Sequence, residues 1–171
     1  MYDLNEIREM DNENMVRLLA NVIRLLDEDD KRTQDATETL KLISIVWGER
    51  CEKFMQDEAK AIKADGMLSA FNYHVGNEGR RKEYRRRVLR YIVNYNLPPV
   101  LNAHYMNEWG EPCTEKRIKK LKRTLGGLSF SNQRRGREFQ RARIEWTNDL
   151  TFLEENLDLI LESKGLSYIN D

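Results

Sequence analysis

The sequence predicts an all-α protein, and three observations carry that expectation. Apolar residues recur every three to four positions over long stretches, the period of one helix face. Runs that alternate apolar and polar with β-branched residues are nearly absent. Only three prolines and nine glycines punctuate 171 residues, so helices of several turns can run uninterrupted. The expected architecture is a helical bundle in which a long N-terminal helical hairpin packs on, or projects from, a basic multi-helix domain.

The first expected helix covers residues 12–27, with Met15, Leu18, Leu19, Val22, Ile23, Leu25 and Leu26 forming one wide apolar face. The acidic run Asp27-Glu28-Asp29-Asp30 opposes the macrodipole at a helix C-terminus, so it belongs to the connection. A second helix is expected from about Thr33 to Ala64, striped by Ala36, Leu40, Ile43, Trp47, Cys51, Phe54, Met55, Ala59 and Ile62. At ~1.5 Å per residue it would be about 45 Å long. Asp65-Gly66 is the expected boundary between an acidic hairpin, residues 1–65, and a basic domain, residues 66–171, because charge changes sign there and glycine favours a helix end.

In the second segment, a short helix or turn over residues 67–76 precedes a helix from Gly79 to Tyr95 striped by Tyr84, Val88, Tyr91, Ile92 and Tyr95. Pro98-Pro99 forbids its continuation. Ala103 to Trp109 reads as a short helix. Thr114 is a suitable N-cap for a helix to about Leu125, with Cys113 and Ile118 placed to form a hydrophobic staple. Gly126-Gly127 reads as a turn or kink. A long last helix is expected from about Arg137 to Ser163, striped by Phe139, Ala142, Trp146, Leu150, Leu153, Leu157 and Ile160. Trp47, Trp109 and Trp146 read as packing anchors whose indole N–H finds a partner.

Charge is distributed unevenly in this formally neutral chain. Residues 1–66 carry 10 basic and 16 acidic side chains, residues 67–146 carry 18 and 7, and residues 147–171 carry 1 and 6. A basic middle between acidic ends attracts polyanions, of which nucleic acid is the commonest. Three clusters make up that middle. The first is Arg80, Arg81, Lys82, Arg85, Arg86, Arg87 and Arg90; the second Lys116, Arg117, Lys119, Lys120, Lys122 and Arg123; the third Arg134, Arg135, Arg137, Arg141 and Arg143. Arginine dominates the first and third, and its planar fork binds phosphate in a bidentate way. The three are expected to share one surface that contacts phosphates, with Tyr84, Tyr91, Tyr95 and Phe130 available to stack on bases, although tyrosines at helical spacing are more often core residues with a wet hydroxyl. The bland alternative is a set of solvated helix faces. A helix-turn-helix across Gly126-Gly127 is a weaker option.

Other chemistry has less support. His74, His104, Cys51 and Cys113 lack the close spacing of a metal site, so no metal or cofactor is expected. Neither a nucleophile elbow nor a P-loop or dinucleotide fingerprint occurs. His104 with Glu108 and Glu111 could perform acid–base work, but a structural turn, with Trp109 as a core anchor, is the favoured reading. No apolar run approaches the roughly 20 residues that span a bilayer, and the N-terminus is polar and acidic, so no membrane partner is expected. Two cysteines form no disulfide framework, which suits a reduced, cytoplasmic protein. The reading is a non-enzymatic protein that binds DNA or RNA by its backbone. The alternative is an adaptor, accessory subunit or inhibitor that binds another protein, or itself, through residues 12–64.

Ordered motifs span Gly66 to Leu153: Gly66-Met67-Leu68, Tyr73-His74-Val75-Gly76, Arg86-Arg87-Val88-Leu89, Leu97-Pro98, Tyr105-Met106-Asn107-Glu108-Trp109-Gly110-Glu111-Pro112, Lys116-Arg117-Ile118, Arg134-Arg135, and Trp146 with Asp149, Leu150 and Leu153. In these the chain resembles a widespread family of small bacterial proteins of uncharacterised function. The resemblance implies an all-helical fold and carries no activity. The family pattern reads as continuous helix where this chain has Gly126-Gly127.

Overall fold

A computed structural model describes residues 2–26, 32–55, 61–131 and 136–163. The chain is all-helical: α1 (Leu4–Glu9), α2 (Asn12–Leu25), α3 (Arg32–Phe54), α4 (Met67–Ala70), α5 (Lys82–Asn94), α6 (Ala103–Trp109), α7 (Glu115–Phe130), a 3-10 turn (Arg137–Phe139), α8 (Gln140–Glu155) and α9 (Leu157–Ser163). Side-chain caps start four of these helices. Asp3 accepts from the amides of Asn5 and Glu6, Asp11 from Asn14, Asn102 from Tyr105, and Thr114 from Arg117.

The N-terminal helices pack on the basic segment. One apolar cluster runs from Ile7 and Leu19 through Trp47, Phe71 and Tyr91 to Trp109, Leu125, Leu153 and Ile160. At its centre the Trp47 ring meets Phe71 and Tyr91 edge-on, with centroids 5.8 and 6.0 Å away. Close approach there depends on Gly48. A Cβ at that position would lie 2.7 Å from Asn96 Nδ2, which donates to the Ser44 carbonyl at 3.0 Å. Helix α5 is the hub, packing against α2, α7, α8 and α9. Helices α7 and α8 form the most extensive pair. They run antiparallel, with Lys122 near Glu154 and Ser129 near Thr147.

Several sequence expectations need correction. Helix α1 was not expected. The second long helix stops at Phe54, about a third shorter than its stripe implied. Residues 56–60, like the acidic run at 27–30, lie outside the described residues. The chain is extended again at Ile62, whose N–H donates to the Pro99 carbonyl at 2.8 Å, and this pairing competes with helix for the Ile62 backbone. Gly126-Gly127 makes no turn. It lies inside continuous α7, where Gly126 packs beside Leu150, so tertiary packing offsets the helix cost of two glycines. That also removes the helix-turn-helix.

The last helix is interrupted at Asn156. Its side-chain amide and backbone N–H both donate to the Phe152 carbonyl, at 3.0 and 3.1 Å. Cys113 forms no staple: it is exposed, with φ of +59°, and its Sγ lies 3.5 Å from Asn94 Oδ1. All three tryptophans are buried. Against expectation, the Trp47 and Trp109 indole N–H groups meet no acceptor among the described residues, because aromatic and aliphatic packing surrounds them.

Candidate nucleic-acid interface

The structure divides the basic clusters by depth. In the first cluster, Arg80, Arg81 and Lys82 are exposed and Arg86 is half-buried, with its guanidinium 4.2 Å from the Phe152 ring centroid. Arg85, Arg87 and Arg90, expected at the interface, are buried. Their position on the hub helix leaves no solvent-facing side for them.

Arg85 Nε donates to Asp149 Oδ2 at 2.7 Å, and the Tyr73 hydroxyl donates to the same oxygen at 2.6 Å. Arg85 Nη1 also donates to the Arg80 carbonyl at 2.7 Å and lies 3.6 Å from Glu145 Oε2. Burial works against the Arg85 charge, but hydrogen bonding and attraction from Asp149 outweigh it and raise its pKa. Burial, with the charge of Asp149 and its hydrogen bond, pushes the Tyr73 phenol far above its usual range. Arg87 Nη1 donates to the Ile23 carbonyl at 3.4 Å. Burial, aided by the neighbouring charge of Arg87, lowers Arg90 to about 10, so it stays charged at neutral pH.

In the second cluster Arg117 is also buried, and all three of its nitrogens donate to interior carbonyls. Nε donates to the Trp109 and Gly110 carbonyls at 3.0 and 3.1 Å, Nη1 to Ile92 and Tyr95 at 2.8 and 3.0 Å, and Nη2 to Gly110. Burial lowers its pKa to about 10, which still leaves a cation at neutral pH. The four buried arginines therefore belong to the interior rather than to any phosphate-contacting surface.

The rest of the second cluster faces outward. Lys116, Lys119 and Arg123 are exposed, and Lys120 and Lys122 are half-buried. Lys119 pairs with Glu115 at 2.6 Å, Lys120 with Glu108, and Lys122 approaches Glu154 at 3.9 Å. Lys116, Lys119, Lys120 and Arg123 line a shallow hollow of about 460 Å³ between α6 and α7, with Glu108 and Glu115 as its acids.

In the third cluster Arg134 and Arg135 lie outside the described residues. Arg137 is exposed on the 3-10 turn, and exposed Arg141 pairs with Glu145 at 3.2 Å. Among the described residues the second and third clusters lie apart, whereas the first and third meet at Glu145, which pairs with Arg141 and lies 3.6 Å from Arg85. The α7 cations sit beside the C-terminal end of α8, whereas Arg141 sits near its N-terminal end, 13 residues or about 20 Å along the axis. Base stacking narrows too. Tyr91 and Tyr95 are buried and stack on each other with centroids 4.8 Å apart, and the half-buried Tyr84 hydroxyl donates to the Phe71 carbonyl. Phe130 is 73% exposed.

Three features of this region escaped the sequence reading. One is the seat of Lys120, whose Nζ lies 5.5 Å from the Tyr105 ring centroid and 6.0 Å from that of Trp109. Another is the partner of Glu108, which bonds Lys120 as well as lying 3.5 Å from His104 Nε2. The Lys120 hydrogen bond and charge hold its carboxyl below the usual range, which suits an ion-pair partner better than a proton carrier at neutral pH. The third is the interior role of Arg117. The block Tyr105 to Pro112 signalled the neighbourhood, but the pairing of Glu108 with Lys120 is tertiary and leaves no spacing to read.

A second hollow, of about 980 Å³, lies where the α1–α2 junction meets the end of α3. Two of its cations are committed. Arg8 pairs with Glu49 at 2.5 Å, and Arg50 donates to Asn12 Oδ1 and to the Arg8 and Met10 carbonyls. Among the described residues no three His, Cys, Asp or Glu side chains gather as a metal would require, and no helix is long and apolar enough to cross a membrane. The chain matches no protein-family model, no curated protein and no solved structure.

Proposed function

We propose that this protein binds nucleic acid through the backbone phosphates, using the outer face of α7. The carrying observation is the α6–α7 hollow, where four cations face two carboxylates. The neighbouring buried Arg117 holds the corner together, so these surface cations have no comparable structural task. Compact ammonium groups on an exposed face read charge rather than sequence, which favours backbone contact with little base discrimination. Phe130, further along α7, offers one exposed ring for a base.

The test is fluorescence anisotropy with labelled single- and double-stranded oligonucleotides between 50 and 300 mM salt. Four phosphate contacts predict a log–log salt slope of about −3 for a single strand and about −3.5 for a duplex. The variant Lys116→Glu/Lys119→Glu/Arg123→Glu should fold normally and lose binding at least tenfold. Unchanged affinity in that folded variant, or no binding by the parent protein at 50 mM salt, would overturn the reading.

A further inference from the structure

Lys120 differs from the other cations of the hollow in being held in place. Its side chain is only 21% exposed, and its ammonium sits against two fixed rings. The Tyr105 hydroxyl accepts the Met67 N–H at 2.7 Å, and Trp109 is wholly buried. Arg117 ties the Trp109 and Gly110 carbonyls to α7, which fixes the end of α6 relative to Lys120. An ammonium fixed by its surroundings loses little freedom when an anion arrives. Its counter-charge is Glu108, whose side chain is 44% exposed on short α6. One turn earlier lies His104, 89% exposed and 3.5 Å from the other Glu108 oxygen. By contrast, Lys119 and Glu115 are 71% and 80% exposed, a pair with nothing to order it.

We infer that Lys120 is the anchoring ammonium of the α7 face and that Glu108 is its built-in competitor, a carboxylate that an arriving backbone phosphate displaces. The inference rests on the nucleic-acid reading above and adds the residue at which binding is restrained. A carboxylate and a phosphodiester each present one negative charge over two terminal oxygens, so either satisfies the same ammonium. Displaced Glu108 has room to turn toward solvent and His104.

The experiment measures binding of a 20-nucleotide single strand at 100 mM salt by the full chain and four variants. Glu108→Gln should tighten binding about two- to five-fold, the range of an exposed ion pair removed as competitor. Glu115→Gln removes the same charge from the same hollow and should give a smaller gain. Lys120→Met, which keeps the stem against the rings, should weaken binding, and Glu108→Gln in that background should add only as much as Glu115→Gln does. Equal gains from the two single glutamine variants, or a Glu108→Gln gain that persists undiminished without Lys120, would overturn the competitor while leaving backbone binding intact. Absence of binding by every protein at 50 mM salt would instead overturn both.

Discussion

Helix α5 with the two arginines just before it, and helix α7, carry clusters of similar density, seven basic residues in eleven and six in eight, yet they put them to opposite uses. On α5 the arginines at 85, 87 and 90 are buried, while on α7 only Arg117 is, and the remaining cations line the surface. The difference is the number of neighbours. Helix α5 is packed by α2, α7, α8 and α9, so a charge on almost any side of it meets protein, whereas α7 keeps an outer face. The chemistry follows the position. Among the described residues the buried cations are all arginine, whose fork satisfies several acceptors at once and is more weakly hydrated than an ammonium. A run of positive charge thus carries no information about exposure until the packing of its helix is known.

The largest expected effect tests the interior half of this comparison. Asp149 is fully buried and serves both Arg85 and Tyr73. Asp149→Ala leaves a buried guanidinium without its hydrogen-bonded carboxylate and with only Glu145, 3.6 Å from Nη1, as counter-charge, which should cost about 3 kcal/mol or more. With a urea slope near 2 kcal/mol/M, the midpoint would fall by roughly 1.5 M or more. The paired change Arg85→Met/Asp149→Leu should recover much of this, since no orphaned charge remains. Reversing Lys119 on α7 should move stability by at most about 0.5 kcal/mol. Similar costs at the two sites would erase the distinction between the helices.

The next effect sharpens it within the second cluster. Arg117 joins α5 to the end of α6 by donating to the carbonyls of Ile92, Tyr95, Trp109 and Gly110. Arg117→Met should cost about 2–3 kcal/mol, because buried carbonyls then lose a charged donor. Arg117→Lys should recover less than half of that loss in urea unfolding, as an ammonium cannot reproduce the fork. A full recovery by lysine would mean that charge alone, and not the geometry of the donors, holds this corner.

The fold class was legible because burial imposes a helical period on residues such as Leu19, Ile23, Leu40, Ile43 and Trp47. The caps at Asn102 and Thr114 are local chemistry, and Thr114 ahead of Glu115 is legible as one in the sequence. Depth was not legible. Val88, Leu89, Tyr91, Ile92 and Val93 occupy more than one side of α5, and that breadth was the available sign that α5 is surrounded. The end of α3 was missed because its stripe continues to Ile62, which is buried as expected but in an extended chain paired with Pro99 and Val100. The candidate site was legible as a region and not as a constellation, since Glu108 and Lys120 meet only once α6 folds against α7.

The smallest effect probes the outer face of α7 itself. A Cβ added at Gly127 would meet nothing within 4 Å, and the residue is exposed in the last turn of α7. Gly127→Ala should therefore stabilise the protein by about 0.5–1 kcal/mol through helix propensity and a less flexible unfolded chain. For a domain of this size that is a rise in Tm of about 1–4 °C. Gly48→Ala makes the opposite case: its Cβ would strike the Asn96 amide and disturb the bond to the Ser44 carbonyl, so it should destabilise. If Gly127→Ala lowered Tm as well, the face that carries Lys119 and Arg123 would be covered rather than open, and phosphate contact there would lose its surface.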